Sequence, residues 1–282
     1  MKTILILGSS GMLGHVVTKY FEERSYDVYN LSHRIKINER TEIMDVTNFS
    51  EFDKYLNKLK VDVIVNCIGI LNEDAENSPD KAILLNSYLP RFLEKKYMNT
   101  KVKIIQISTD CVFSGKTGNY TEDSFRDGDS IYARTKTLGE INNNKDLTIR
   151  TSIIGPDINE DGIGLFQWFM NQKGTIYGFK NAYWTGVTTI ELAKGIEKLI
   201  KNDVTGLYHF VPNEKISKYN LLNIIAEIFN RNITIIPKED YYVDKSLINT
   251  RTDFKYVIPT YREMIEEMKS WIDKNPQLYS YS

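Results

Sequence analysis

Cysteine is scarce: Cys67 and Cys111 are the only two in 282 residues, and they form no C-x-x-C pair. A disulfide scaffold or a thiolate metal site needs more than that. His15, His33 and His209 are as scattered, and neither H-E-x-x-H nor G-x-S-x-G occurs, so the zinc- and serine-hydrolase signatures are missing. Glu191 stands alone and reads as a surface carboxylate, leaving no visible metal site. Charge of one sign is also lacking: Lys+Arg is 36 and Asp+Glu is 37, for a net charge of -1. That balance provides neither the basic excess of a nucleic-acid binder nor a polybasic membrane anchor. No apolar run approaches the ~20 residues of a membrane helix. The run around Ile4–Leu7 is shorter than the about 7–15 residues of a signal-peptide core. These absences point to a cytoplasmic protein with neither nucleic acid nor membrane as partner.

What is present is an alternation of strand and helix patterns. Lys2–Leu7 is an apolar run that stops at Gly8-Ser9-Ser10-Gly11, and Met12, Leu13, Val16, Val17, Tyr20 and Phe21 then recur at helical spacing. Further strands are expected at Asp27–Leu31, Thr41–Val46, Val61–Ile68, Val102–Ser108, Leu147–Thr151 and Gly206–Val211. Helices are expected at Ser50–Leu59, at Pro79–Lys96 with a kink or division at Pro90, and at Tyr132–Ile141. More follow at Thr188–Lys201, Ser217–Phe229 with Ser217 as cap, and Thr260–Lys274. The pattern implies an α/β fold: a Rossmann-like doubly wound parallel sheet with a smaller, mixed α/β lobe toward the C-terminus. Residues 1–153 and 186–212 are assigned to the dinucleotide-binding domain, 154–185 and 213–282 to a substrate-binding lobe. The stretch Gly155–Gly186 is rich in glycine and aromatics and suggests excursions off the sheet.

Gly8, Gly11 and Gly14 fall between the first strand and the first helix. Glycine permits positive φ and close approach of a pyrophosphate, which the helix N-terminus attracts. The second strand ends in Ser32-His33-Arg34 rather than in an acidic residue. Arg34 either pairs with the 2′-phosphate of NADP or is a solvated surface arginine. Tyr132 and Lys136 stand one helical turn apart, on one face. A phenol beside an ammonium is expected to ionise more easily and to serve as a proton donor. Ser108-Thr109-Asp110 ends a buried strand, so Thr109 is expected at the same crevice, ready to bond a carbonyl.

Together these motifs resemble the extended short-chain dehydrogenase/reductases, and within them the dTDP-4-dehydrorhamnose reductase branch. The resemblance rests on GSSGMLG at 8–14, STDCVFSG at 108–115, YARTKTLGE at 132–140 and RTSIIG at 150–155. Smaller matches are VNCIG at 65–69, Asn86, and GVTTIEL at 186–192. It implies a catalytic Thr109, Tyr132 and Lys136, and reduction of C4 of a 4-keto-6-deoxy sugar nucleotide. Tyr132 would protonate the forming alkoxide while Lys136 holds the ribose. The implied cofactor is NADPH, with NADH allowed. Its contacts would be Gly8, Ser10, Gly11, Met12, Leu13, Gly14, Arg34, Asp45, Val46, Cys67, Ile68, Gly69, Asn86, Ser108, Tyr132 and Lys136. The substrate would touch Thr109, Asp110, Cys111, Ser152, Ile153 and Trp184, with Arg150–Ile154 near the nicotinamide and the sugar.

The chain departs from the family at two of these positions. Cys111 stands where the family often has Tyr, and Ile153 where it often has Trp. A UDP-2-acetamido-2,6-dideoxy-4-keto-hexose is therefore a rival to dTDP-4-dehydrorhamnose. The aromatics Phe166, Trp168, Phe169, Tyr183 and Trp184 either stack on the substrate or form lobe core. A different class of function is a non-catalytic NADP-binding regulatory subunit, since such a subunit of methionine adenosyltransferase resembles the same branch. An epimerase or dehydratase is a weaker reading, because Thr109-Asp110-Cys111 has only one acidic residue. The resemblance also allows a homodimer.

Overall fold

The structure is a computed structural model that describes residues 2–159, 162–279 and 281. In chain order its first half holds β1 (Thr3–Leu7), α1 (Gly14–Glu22), β2 (Asp27–Ser32), β3 (Thr41–Ile43), α2 (Phe49–Lys58), β4 (Val63–Asn66) and α3 (Asn72–Asn77). A continuous helical run follows, made of α4 (Pro79–Ala82), a π-turn (Ile83–Tyr88) and α5 (Leu89–Tyr97). Then come β5 (Lys103–Ile107), a 3-10 turn (Asp110–Val112), α6 (Ile131–Leu138), β6 (Leu147–Arg150), β7 (Ile153–Ile154) and α7 (Leu165–Met170). The remainder is β8 (Gly174–Trp184), β9 (Val187–Thr188), α8 (Thr189–Lys201), β10 (Gly206–His209), β11 (Ile216–Ser217), α9 (Lys218–Ile228), β12 (Ile233–Asp244) and α10 (Tyr261–Lys274).

Seven strands form one parallel sheet in the order β3-β2-β1-β4-β5-β6-β10. Its central strands are apolar on both faces because helices cover both: Ile4, Ile6, Val63 and Val65 belong to one core, Leu5, Leu7 and Ile64 to the other. Strand order reverses between β1 and β4, and a ligand crevice opens at the carboxyl ends beside such a reversal. The expected fold class is thus the one observed.

The expected strands are shortened at their ends. Thr41–Val46 pairs only as far as Ile43, leaving Asp45 in the loop beyond, and Val61–Ile68 pairs only over Val63–Asn66. Pro90 does not divide its helix. The π-turn ends at Tyr88, two residues before it, with Leu89 N–H donating to Leu84 O, and helix continues to Tyr97. Pro90 has no N–H for the carbonyl four residues back, that of Asn86. Gly139 packs against that carbonyl so closely that a Cβ would lie 1.9 Å from it.

The smaller sheet has the order β11-β8-β12, with β8 and β12 parallel and their register shifting between Lys238 and Tyr242. Neither long strand was expected from the sequence. β12 is exposed along most of its length and carries Pro237, as an edge strand can. Ser217 caps α9 as expected, its side chain accepting from Asn220 N. Of the residues assigned to the lobe, α10 packs on α8 as well as α9, and Tyr279 accepts a hydrogen bond from Trp271 while bonding His15 of α1. The lobe's assigned end, Ser282, lies outside the described residues, as does Met1 of the first domain. Among the described residues, no helix is long and apolar enough to cross a membrane.

Candidate active site

The glycine turn is shaped by close packing. Gly8 has φ +78°, and a Cβ there would lie 3.0 Å from the Ile68 side chain. A Cβ at Gly14 would lie 2.1 Å from Gly8 O, so α1 can approach β1 only with glycine at that position. The N–H groups of Gly8 and Ser9 donate to Leu31 O at 2.9 and 3.0 Å, which ties the turn to β2. Two distant parts of the chain brace it: His15 bridges Gly11 O and Tyr279 OH near the C-terminus, each at 2.9 Å, and Asn159 Nδ2, between β7 and α7, donates to Ser10 O at 3.0 Å.

In front of the turn lies a crevice of about 520 Å³. Gly8, Ser10, Gly11, Asp45, Val46, Cys67, Ile68 and Gly69 line it, all expected from the sequence. Asp45 accepts from the Thr47 hydroxyl and N–H, which holds its carboxyl below the usual range. Burial pushes the Cys67 thiol up to about 12. Arg34 is exposed and outside the crevice; His33, Ser32 and Lys81 line it instead. His33 adjoins Arg34 in the sequence, whereas Lys81, at the start of a helix with no motif of its own, gave no signal there. Met12, Leu13, Gly14, Asn86 and Ser108 also lie outside the lining. Leu13 is core. Asn86 holds both backbone groups of Ile70 and bonds Thr135 Oγ1. Ser108 donates to Glu140 at 2.7 Å.

Thr109 lies just beyond the end of β5. Thr109 Oγ1 accepts from Cys111 N and donates to Asp110 Oδ1, both at 3.1 Å. Tyr132 and Lys136 project from α6, whose start is capped by Ser130. Lys136 Nζ donates to Ile107 O at 2.7 Å, and a Cβ on Gly69 would lie 3.8 Å from that Nζ, so the lysine borders the crevice. Tyr132 is 7% exposed, in a cluster with Ala75, Ala82, Ile131 and Cys111. Burial raises its pKa, the charges of Cys111 and Asp110 add to the rise, and a hydrogen bond with Thr109 opposes it. The expected lowering by Lys136 is therefore not observed: that ammonium is turned to the Ile107 carbonyl, and burial lowers it to about 8. A phenol held protonated remains suited to proton donation.

Arg150 corrects another expectation. It is fully buried and faces Glu140, not the crevice, with Nε–Oε1 at 2.6 Å and Nη2–Oε2 at 2.7 Å. Ser152 gives its carbonyl to Val187 N, and Ile153 pairs with Val187, so both serve the β7–β9 contact. Trp184 is 4% exposed, with the Lys218 ammonium 4.7 Å over its ring. Phe166 and Phe169 are core, whereas Trp168 is exposed. Glu191 is buried rather than at the surface, bonded to Tyr256 and Lys194. Among the described residues no group of three His, Cys, Asp or Glu could hold a metal ion.

A parallel sheet with its glycine turn at the strand-order reversal and a Tyr–Lys pair on the flanking helix defines a dinucleotide-binding oxidoreductase fold. The model of the RmlD substrate binding domain matches residues 1–268, and the chain belongs to that family of dTDP-4-dehydrorhamnose reductase-like oxidoreductases. It is similar to methionine adenosyltransferase 2 subunit beta of Xenopus tropicalis, 26% identical over 240 residues, which cover 80% of this chain and 72% of that one. It is also similar to the dTDP-4-dehydrorhamnose reductase of Streptomyces griseus, 30% identical over 138 residues, 48% of this chain and 43% of the other. Among solved structures, dTDP-4-dehydrorhamnose reductase of Bacillus anthracis str. Ames in complex with NADP superposes with a TM-score of 0.82 at 20% identity. That match covers 96% of this chain and 99% of that one.

Proposed function

We propose that the protein is an NADPH-dependent reductase of the C4 keto group of a 4-keto-6-deoxy-hexose nucleotide, with dTDP-4-dehydrorhamnose as the first substrate to consider. The observation that carries this reading is the convergence of Thr109, Tyr132 and Lys136 beside the glycine-lined crevice. The crevice fits an extended dinucleotide: its glycines leave the backbone open at the start of α1, where a pyrophosphate is favoured. Gly8, Ser10 and Gly11 would hold the diphosphate, Asp45 and Val46 the adenine end, and Cys67–Gly69 the nicotinamide end. When bound, the cofactor supplies the hydride to the carbonyl carbon.

The chain's own residues do the rest. Thr109 orients the carbonyl oxygen. Tyr132, protonated at neutral pH, gives its proton to that oxygen as the carbonyl electron pair moves onto it. Lys136, ammonium below about pH 8, holds the ribose hydroxyls by donating to them. The likeness to the methionine adenosyltransferase subunit favours a second reading, a regulatory protein that binds the same cofactor without turnover. NADPH oxidation by the purified protein, with dTDP-4-keto-rhamnose, a UDP-2-acetamido-4-keto-6-deoxy sugar and a GDP-4-keto-6-deoxy sugar, decides between them. The proposal expects turnover with one of the three. Tight NADPH binding without turnover on any favours the regulatory reading.

A further inference from the structure

Behind the glycine turn runs a hydrogen-bond relay whose direction is fixed at both ends. Trp271 of α10 donates from Nε1 to Tyr279 OH at 2.9 Å, and an indole N–H can only donate. Tyr279 OH lies 2.9 Å from His15 Nε2, and His15 Nδ1 lies 2.9 Å from Gly11 O. A carbonyl oxygen can only accept, so Nδ1 carries the ring proton and Nε2 accepts from the Tyr279 hydroxyl. The opposite tautomer would set the Nδ1 lone pair against that carbonyl. His15 and Tyr279 are 5% and 8% exposed, and burial disfavours a second proton on the ring.

The relay ends on the peptide that joins Gly11 to Met12. Its oxygen also accepts from His15 N at 3.1 Å, so both lone pairs are taken. Gly11 has no side chain to restrict its backbone, and these bonds give the peptide its orientation. In a planar trans peptide the N–H points away from the C=O. With Gly11 O held along α1, Met12 N–H is turned off the start of that helix, where a diphosphate is favoured. Among the described residues, neither Met12 N–H nor Leu13 N–H has an acceptor.

We propose that His15 and Tyr279 are positioning residues for the dinucleotide: through Gly11 O they hold Met12 N–H in line with its diphosphate. Both act from behind the turn, and Trp271 anchors the far end of the relay. Tyr279 and α10, assigned to the substrate lobe by their sequence, thereby complete the cofactor turn. The inference rests on the cofactor half of the reductase reading and not on turnover.

Calorimetric titration of the full chain with NADP⁺ and with 2′-AMP tests it, because 2′-AMP keeps the phosphorylated ribose but lacks the diphosphate. His15→Leu removes the donor to Gly11 O, and Tyr279→Phe removes the donor to Nε2. Each should weaken NADP⁺ binding by about 3- to 10-fold, the worth of one neutral hydrogen bond, and leave 2′-AMP binding unchanged. His15→Asn, whose amide N–H takes the place of Nδ1–H, should restore most of the NADP⁺ affinity. With a turned-over keto sugar, the first two variants should raise the NADPH KM by the same factor at constant kcat. Equal loss of both ligands would mean a general loosening of the fold and overturns the inference. NADP⁺ binding unchanged in either variant overturns it too, as does an Asn variant as weak as the Leu one. NADP⁺ binding that depends on His15 and Tyr279, without turnover of any keto sugar, removes the reductase reading and leaves the inference standing. Binding of neither ligand to wild type would remove the cofactor reading itself, and the inference with it.

Discussion

Tyr132 and Lys136 lie one turn apart, yet the protein treats their protons differently. Both are buried, and burial disfavours whichever form carries charge. The phenol is therefore held protonated, and the ammonium is drawn down to about 8. Lys136 compensates in part by donating to Ile107 O. Its proton is worth keeping for binding, because only the ammonium form donates in every direction to ribose hydroxyls. We expect NADPH affinity to be constant below about pH 8 and to fall above it as Lys136 titrates. The effect on stability has the opposite sign. Lys136 binds its proton less readily folded than unfolded, so its cost to stability is full below about pH 8 and lifts as pH rises toward 10.5. Fluorescence titration with NADPH between pH 7 and 9 checks the first effect. Lys136→Arg, which stays charged, should flatten the profile, and an unchanged slope in that variant would place the titrating group elsewhere.

At the scale of elements, the helix that carries Tyr132 and Lys136 is fastened at its far end by ions and by shape. Glu140, just past α6, meets Arg150 at the end of β6, with side-chain exposures of 2% and 0%. Ser108 also donates to Glu140, so one carboxylate links α6, β5 and β6. Removing one partner of a buried ion pair leaves the other uncompensated, at a cost of about 3–5 kcal/mol. Glu140→Gln should lose stability in that range in urea unfolding, because an amide keeps the shape but not the charge. A loss under about 1 kcal/mol would mean that Arg150 finds water or another acid. The sequence disclosed these elements unevenly. Apolar, β-branched runs announced the central strands, and the glycine turn announced the crevice. The Arg150 and Glu140 positions were visible as motif residues, but nothing in a linear pattern says that they face each other rather than a ligand. β12 was illegible because its residues are mostly polar and exposed, and its order comes from pairing with β8.

Over the whole molecule, the sheet and the lobe segments are joined by buried polar links. His209, at the edge strand β10, accepts from Arg150 through Nε2 and donates from Nδ1 to Ile248 O at 2.9 Å. Accepting from arginine requires a neutral ring, and burial lowers the His209 pKa to about 4. The unfolded chain binds the proton near 6.5, so this contribution to stability is full above that pH and declines as pH falls toward 4. Glu122, which accepts from His209 N–H and Thr250, is held below its usual range and weakens the fold in the same direction on acidification. Thermal melts should therefore show a falling Tm from pH 7 to pH 5. A Tm independent of pH over that interval would deny the neutral buried ring.

The same architecture sets the glycine crevice and the Tyr132–Lys136 pair side by side, the arrangement on which the proposed hydride transfer between their ligands depends. The direct measurement uses NADPH deuterated at its transferable position, with the keto-sugar nucleotide that supports oxidation, and mass spectrometry of the product. Wild type should place one deuterium on the reduced sugar carbon. Tyr132→Phe should lower the rate by about 10²- to 10⁴-fold at nearly unchanged NADPH affinity. Product without deuterium, or a Tyr132→Phe variant as fast as wild type, would contradict the proposed transfer.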